Sequence, residues 1–171
     1  MSRDRLKKLA ASIDRLIEKD DQLLRKMEEV AQLRRAAAVQ LHSICAHFVN
    51  ELNQLLANAE IRMDPPEYEP ANFQEDGPNL FQINVRGRIL QIRFEATPEL
   101  VSSEEFRVPY TLAGSIRCFN QHMLEQDLIE EQLLFFCLER HGEMWRYFDP
   151  RTYRTGPFNQ DYLVFLMEQV V

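Results

Sequence analysis

Two Cys-x-x-x-His units stand nineteen positions apart, Cys118-Phe-Asn-Gln-His122 and Cys137-Leu-Glu-Arg-His141. Two thiols and two imidazoles are the ligand set of a structural zinc site. The elements that carry them decide whether they can meet. On neighbouring antiparallel strands, matching Cys118 with His141 also matches His122 with Cys137, which leaves two Cys–His pairs about 13 Å apart. Zinc needs its ligands within ~2.0–2.3 Å of one point. A helical turn at 118–122 brings Cys118 and His122 to one face but completes only half a site. The reading is buried cysteines and turn-lining histidines, with no metal and no cofactor.

Other chemistry has as little support. His42 and Cys45 lie three apart with His47 nearby, but Cys45 falls in an apolar helical row and reads as a small core residue. The phosphate-binding, dinucleotide, nucleophile-elbow and His-Glu-x-x-His motifs are absent, and the many carboxylates single out no acid–base pair. The balance leans against an enzyme. One cluster stands out. Arg86, Arg93, Arg107 and Arg117 alternate with core-type residues, together with Gln82, Gln91 and Thr111. If their strands adjoin, they form an arginine-bearing sheet face suited to an acidic peptide or small anion. The alternative is an ordinary solvated face neutralised by Glu95 and Glu105.

The elements around these residues begin with a helix. Before Pro65 there is neither Gly nor Pro, and helix formers dominate. With Leu6 as position a, the a row is Leu6, Ile13, Asp20, Met27, Arg34, Leu41, Phe48, Leu55. The d row is Leu9, Leu16, Leu23, Val30, Ala37, Ile44, Glu51. Twelve of these fifteen are apolar, a coiled-coil pattern. The e row is apolar too (Ala10, Ile17, Leu24, Ala31, Ala38, Cys45, Leu52), wider than a two-stranded seam needs.

This predicts a long helix over residues 1–61 that oligomerises through Leu6, Leu9, Ile13, Leu16, Leu23, Met27, Val30, Leu41 and Ile44. Its Ala38–Leu56 end is expected against the chain's own domain. Asp20 and Arg34 face their own copies in a parallel pair, whereas an antiparallel pair centred near Met27 brings them together. That tips the expectation toward an antiparallel homodimer or higher oligomer.

Residues 62–79, acidic with four prolines and one glycine, read as a linker. The domain spans 80–171. Phe81, Ile83 and Val85 alternate with polar residues, as do Leu90, Ile92 and Phe94. A two-residue Arg86-Gly87 loop pairs Val85 with Arg88, Ile83 with Leu90 and Phe81 with Ile92. Residues 106–119 read as a strand bulged at Gly114 and turning helical after Asn120, with Pro109 hinting at an edge. Leu133–Leu138, apolar on both faces, reads as a central strand in a hairpin. Asp149-Pro150 and Thr155-Gly156-Pro157 signal turns, and Asn159 caps a closing helix. The fold class is α+β: a long helix, then an antiparallel sheet of about five strands covered by a C-terminal helix.

Composition narrows the function. The 171 residues carry a net charge of −7. Residues 1–60 hold ten basic and nine acidic side chains (+1) and the remainder ten and eighteen (−8), so nucleic-acid binding is disfavoured. No apolar run reaches the ~20 residues of a membrane span, and the first residues lack a secretory apolar core. Three scattered cysteines fit a reducing, cytoplasmic setting. The expectation is a non-catalytic scaffold that self-associates and presents its α+β domain to a protein partner. A dimeric chaperone or adaptor, and an anionic-ligand binder or enzyme at the arginine face, are the alternatives.

Overall fold

The computed structural model describes residues 2–101, 110–139 and 142–171. Arg107, Pro109 and His141 lie outside the described residues. Helix α1 runs Ser2–Leu55. Seven strands follow: β1 (Arg62–Asp64), β2 (Asn79–Val85), β3 (Arg88–Val101), β4 (Tyr110–Phe119), β5 (Glu131–Glu139), β6 (Gly142–Phe148) and β7 (Thr155–Pro157). A short α2 (Gln121–Glu125) joins β4 to β5, and α3 (Gln160–Glu168) closes the chain. The strands form one antiparallel meander in sequence order. The fold is α+β, with seven strands where about five were expected.

The two additional strands are the outermost ones. Each is three residues long, too short for a period-two pattern to be read. Pro65 follows β1 and Pro157 ends β7, and proline is tolerated there because an edge strand has no outer ladder to complete. The 62–79 stretch is therefore no linker. It supplies β1, buries Phe73 and Asn79, and sets the Asn79 side chain against both main-chain polar groups of Gln74.

The β2–β3 hairpin has the register its sequence predicts: Val85 opposite Arg88, Ile83 opposite Leu90, Phe81 opposite Ile92. Arg86 and Gly87 both take positive φ (50° and 88°), the primed turn that matches strand twist, and Asn84 Oδ1 accepts from the Gly87 N–H at 2.9 Å. Strand β5 is interior, as its two apolar faces require. So is β4, which the proline hint had placed at an edge. The irregularities of β4 fall between Ala96 and Val101 on its β3 side and between Tyr110 and Leu112 on its β5 side, away from Gly114. Asn120 caps α2 through Met123 N–H, and Asn159 caps α3 through Tyr162 N–H. The expected second turn, 155–157, is β7.

The chain divides into two compact units, Met1–Leu33 and Arg34–Val171. The second holds the core. One sheet face, carrying Phe81, Ile83, Leu90, Ile92, Phe94, Leu112, Ile116, Leu134, Phe136 and Trp145, is buried. From α1 it receives Ala37, Ala38, Leu41, Cys45, Phe48 and Val49, and from α3 Tyr162, Leu163, Leu166 and Met167. The other face has a smaller buried cluster of Tyr110, Phe135, Cys137 and Phe148. Among the described residues, no helix is long and apolar enough to cross a membrane.

Candidate interaction surface

The heptad pattern of α1 is continuous, but its burial is not. In the first unit every a, d and e side chain from Leu6 to Val30 is exposed. The large apolar ones, Leu6, Leu9, Ile13, Leu16, Ile17, Leu23, Leu24, Met27 and Val30, range from 37% to 63% exposed. In the second unit the same rows turn inward as far as Phe48, after which Glu51 and Leu55 are exposed again. Ala37 and Leu41 are buried at 1% or less, and Ile44 is half-buried. Of the nine expected oligomerisation residues, the structure presents Leu6, Leu9, Ile13, Leu16, Leu23, Met27 and Val30 on one stripe. Leu41 belongs to the core, and Ile44 is largely withdrawn. The wide e row has a physical reason here, since Ala38 and Cys45 pack into the sheet.

Arg34, on the a row, is turned to the chain's own sheet as well. Its Nε donates to the Thr111 carbonyl at 3.2 Å and to Thr111 Oγ1 at 3.0 Å, and its Nη2 donates to the Thr97 carbonyl. Burial pulls the guanidinium below its ordinary pKa, while Glu75 opposes that shift. Committed to its own sheet, Arg34 is lost as a partner for Asp20 across a helix pair. The charge argument for antiparallel pairing goes with it. Beside it Arg35 pairs with Glu75 at 2.6 Å.

The arginine face is brought together in part. Gln91 pairs with Arg117 and Arg93 with Ser115, so Arg93 and Arg117 share a shallow groove of about 470 Å³ with Glu95 and Glu131. Arg117 donates to Glu131 at 2.7 Å, with both side chains near half exposure. Two cations against two carboxylates leave the groove balanced. Arg86 sits in the β2–β3 turn and lines a separate hollow with Arg88, Asn120 and His122.

The two Cys-x-x-x-His units do not converge. Tyr110 pairs with Cys137, and Cys118 lies eight residues further along β4, about 26 Å away. Among the described residues no group of three or more potential ligands could hold a metal ion. All three cysteines are buried and free. Burial raises the thiol of Cys45 to about 12, that of Cys118 to about 11 and that of Cys137 to about 12. His42 is a core residue. Its Nε2 lies 2.8 Å from the Pro65 carbonyl, and its ring stacks on Tyr68 and meets Phe81 edge-on.

One feature had no signal in the sequence. Tyr147 on β6 and Tyr162 on α3 stack with centroids 3.7 Å apart and planes 3° from parallel. Gly156 makes room, because a Cβ there would come within 3.1 Å of the Tyr147 ring. The pair walls a cavity of about 530 Å³, together with Gln132, Asp149, Arg151 and Arg154. Burial pushes the Asp149 carboxyl upward, but bonds from Arg151 and Thr152 outweigh it and hold the group below its ordinary value.

Comparison with known proteins gives no match to any family model, any curated protein or any solved structure.

Proposed function

We propose that this chain is a self-associating scaffold: residues 6–30 of α1 join copies, and the Arg34–Val171 unit is offered to a protein partner. The observation that carries it is the switch in burial along one heptad pattern. From Ala37 to Phe48 the pattern is turned toward the chain's own sheet; from Leu6 to Val30 it faces solvent.

A second copy is the occupant that this stripe fits. Heptad spacing is the condition for one helix to set its side chains between those of a like helix. Nine large apolar side chains per copy, at about 1 kcal/mol each for the part still exposed, give a pair ~18 kcal/mol of favourable burial. Association costs ~4–15 kcal/mol or more in lost freedom, with side-chain ordering in addition, so a stable pair has to bury most of the stripe.

Sedimentation of the full chain at micromolar concentration tests the reading. A particle of at least twice 20.2 kDa is expected. A 20.2 kDa particle that keeps all its helical ellipticity overturns it.

A further inference from the structure

The charges flanking the exposed stripe also fix how copies would face each other. The stripe is centred on the a row (Leu6, Ile13, Asp20, Met27), with d and e on either side. The residues just before each a position form one border: Arg5, Ser12, Lys19, Lys26. Those just after form the other: Lys7, Asp14, Asp21, Glu28. All are exposed. In a heptad helix these rows stand about 103° to either side of a, at the rims of the contact. One rim is basic throughout its charged positions, and the other is acidic after Lys7.

Helix direction decides which rims meet. A two-fold axis parallel to the helices sets the basic rim of one copy against the acidic rim of the other. A perpendicular two-fold axis near residue 18 sets Lys19 against its own copy and Asp21 against Asp14, both like-charge contacts, while Lys26 falls beside Ser12 and Glu28 alone gains an opposite charge in Lys7. A parallel bundle of three or more, which the wide e row also suits, keeps the basic-to-acidic match between neighbours. The contrary indication from Arg34 is gone, because that side chain is bound to Thr111 and Thr97.

We infer that copies of this chain associate with their 6–30 helices parallel, the Arg5–Lys19–Lys26 rim of each lying against the Asp14–Asp21–Glu28 rim of the next. This rests on the self-association proposed above. Asp20 then faces its own copy, a like-charge contact that limits affinity and that Lys19 lies beside.

The test is a spin label at Asp4→Cys in the full chain, an outward position whose labelling leaves both rims intact, with the native thiols buried. Electron–electron distances are read alongside sedimentation. Parallel helices place the labels under about 30 Å apart, given helix axes 8–10 Å apart. An antiparallel pair centred near residue 18 separates them by about 42 Å along the axis.

An oligomer with the short distance supports the inference. An oligomer with the long distance overturns it and leaves self-association standing, whereas a monomer overturns both. A second variant reads the rims directly. Lys19→Glu with Lys26→Glu weakens association at least tenfold if the helices are parallel, and adding Asp21→Lys with Glu28→Lys restores it. In an antiparallel pair the first variant exchanges one like-charge contact for another, and affinity holds, which overturns the inference.

Discussion

The indole Nε1–H of Trp145 on β6 donates to the main-chain carbonyl of Ala37 on α1 at 2.8 Å, across 108 positions of sequence. Trp145 is 1% exposed and meets Phe94 and Phe136 with ring centroids 5.5 and 5.4 Å away. It thus ties the C-terminal part of α1 to the sheet, beside the Arg34 bonds to Thr111 and Thr97. Trp145→Phe keeps an aromatic ring but removes the donor and part of the volume. A loss of about 2 kcal/mol is expected, about 1 of it from the hydrogen bond. Urea titrations followed by circular dichroism at fixed protein concentration measure it. An unchanged midpoint shows that the bond does not hold the helix.

Gly114 offers a sharper test of packing. It pairs with Phe94, and a Cβ built on it would lie 2.2 Å from the Arg93 carbonyl oxygen and 2.7 Å from Phe94 Cβ. The obstacle includes backbone in the middle of a sheet, which cannot turn aside as a flexible side chain would. Gly114→Ala is therefore expected to destabilise the Arg34–Val171 unit by about 1–3 kcal/mol, the range for overpacking a filled site. A thermal melt at or above the wild-type midpoint contradicts this close approach.

The buried thiols and Tyr68 predict alkaline behaviour. Burial raises Cys45 from 9.0 to about 12, and Tyr68, whose hydroxyl lies 3.2 Å from Asn79 Oδ1, from 10.0 to about 12. Each folded value exceeds the unfolded one, so folding favours the protonated form. Their contribution is complete below pH 9 and declines as pH rises through 11 and 12. Melting temperatures should hold steady from pH 7 to pH 9 and then fall. At pH 8 a thiol-reactive dye should label the native chain slowly and all three cysteines at once in denaturant. Rapid native labelling of even one thiol contradicts its burial.

The parts of this fold legible in the sequence are those whose signals are local. Phe81–Phe94 was readable because alternation and a two-residue loop agree on one register. The cap at Asn159 was readable because the side chain bonds a backbone N–H three residues on, while at Asn120 the sequence showed only the turn to helix. β1 and β7 were hidden because three residues hold too little of a period. Gly114 looked like a bulge, but its need for a bare backbone comes from Phe94 on the neighbouring strand. Arg34 looked like a seam residue, since nothing local shows that Thr111 lies 77 positions ahead to receive it. The Tyr147–Tyr162 wall joins a strand to a helix and leaves no periodic trace. The heptad pattern itself was plain. Its division between a surface stripe and a core-facing one depends on a sheet that forms far along the chain.

That division makes the last prediction a comparison between two leucines of one pattern. Leu41, on the a row, is 0% exposed, and Leu16, on the d row, is 63% exposed. Leu41→Ala removes core volume and should cost about 2–5 kcal/mol of folding stability while subunit stoichiometry stays as in the wild type. Leu16→Asp with Leu23→Asp puts charge into the exposed stripe, where a lone chain tolerates it but a helix pair must desolvate it. The double variant should sediment as a monomer, with a near-ultraviolet spectrum and Trp145 emission unchanged. Differential scanning calorimetry and sedimentation on both variants separate the roles. If Leu41→Ala dissociates the oligomer while the aspartate pair leaves it whole, the seam does not lie between Leu6 and Val30, because a surface that joins copies cannot accept two buried carboxylates without a partner for either.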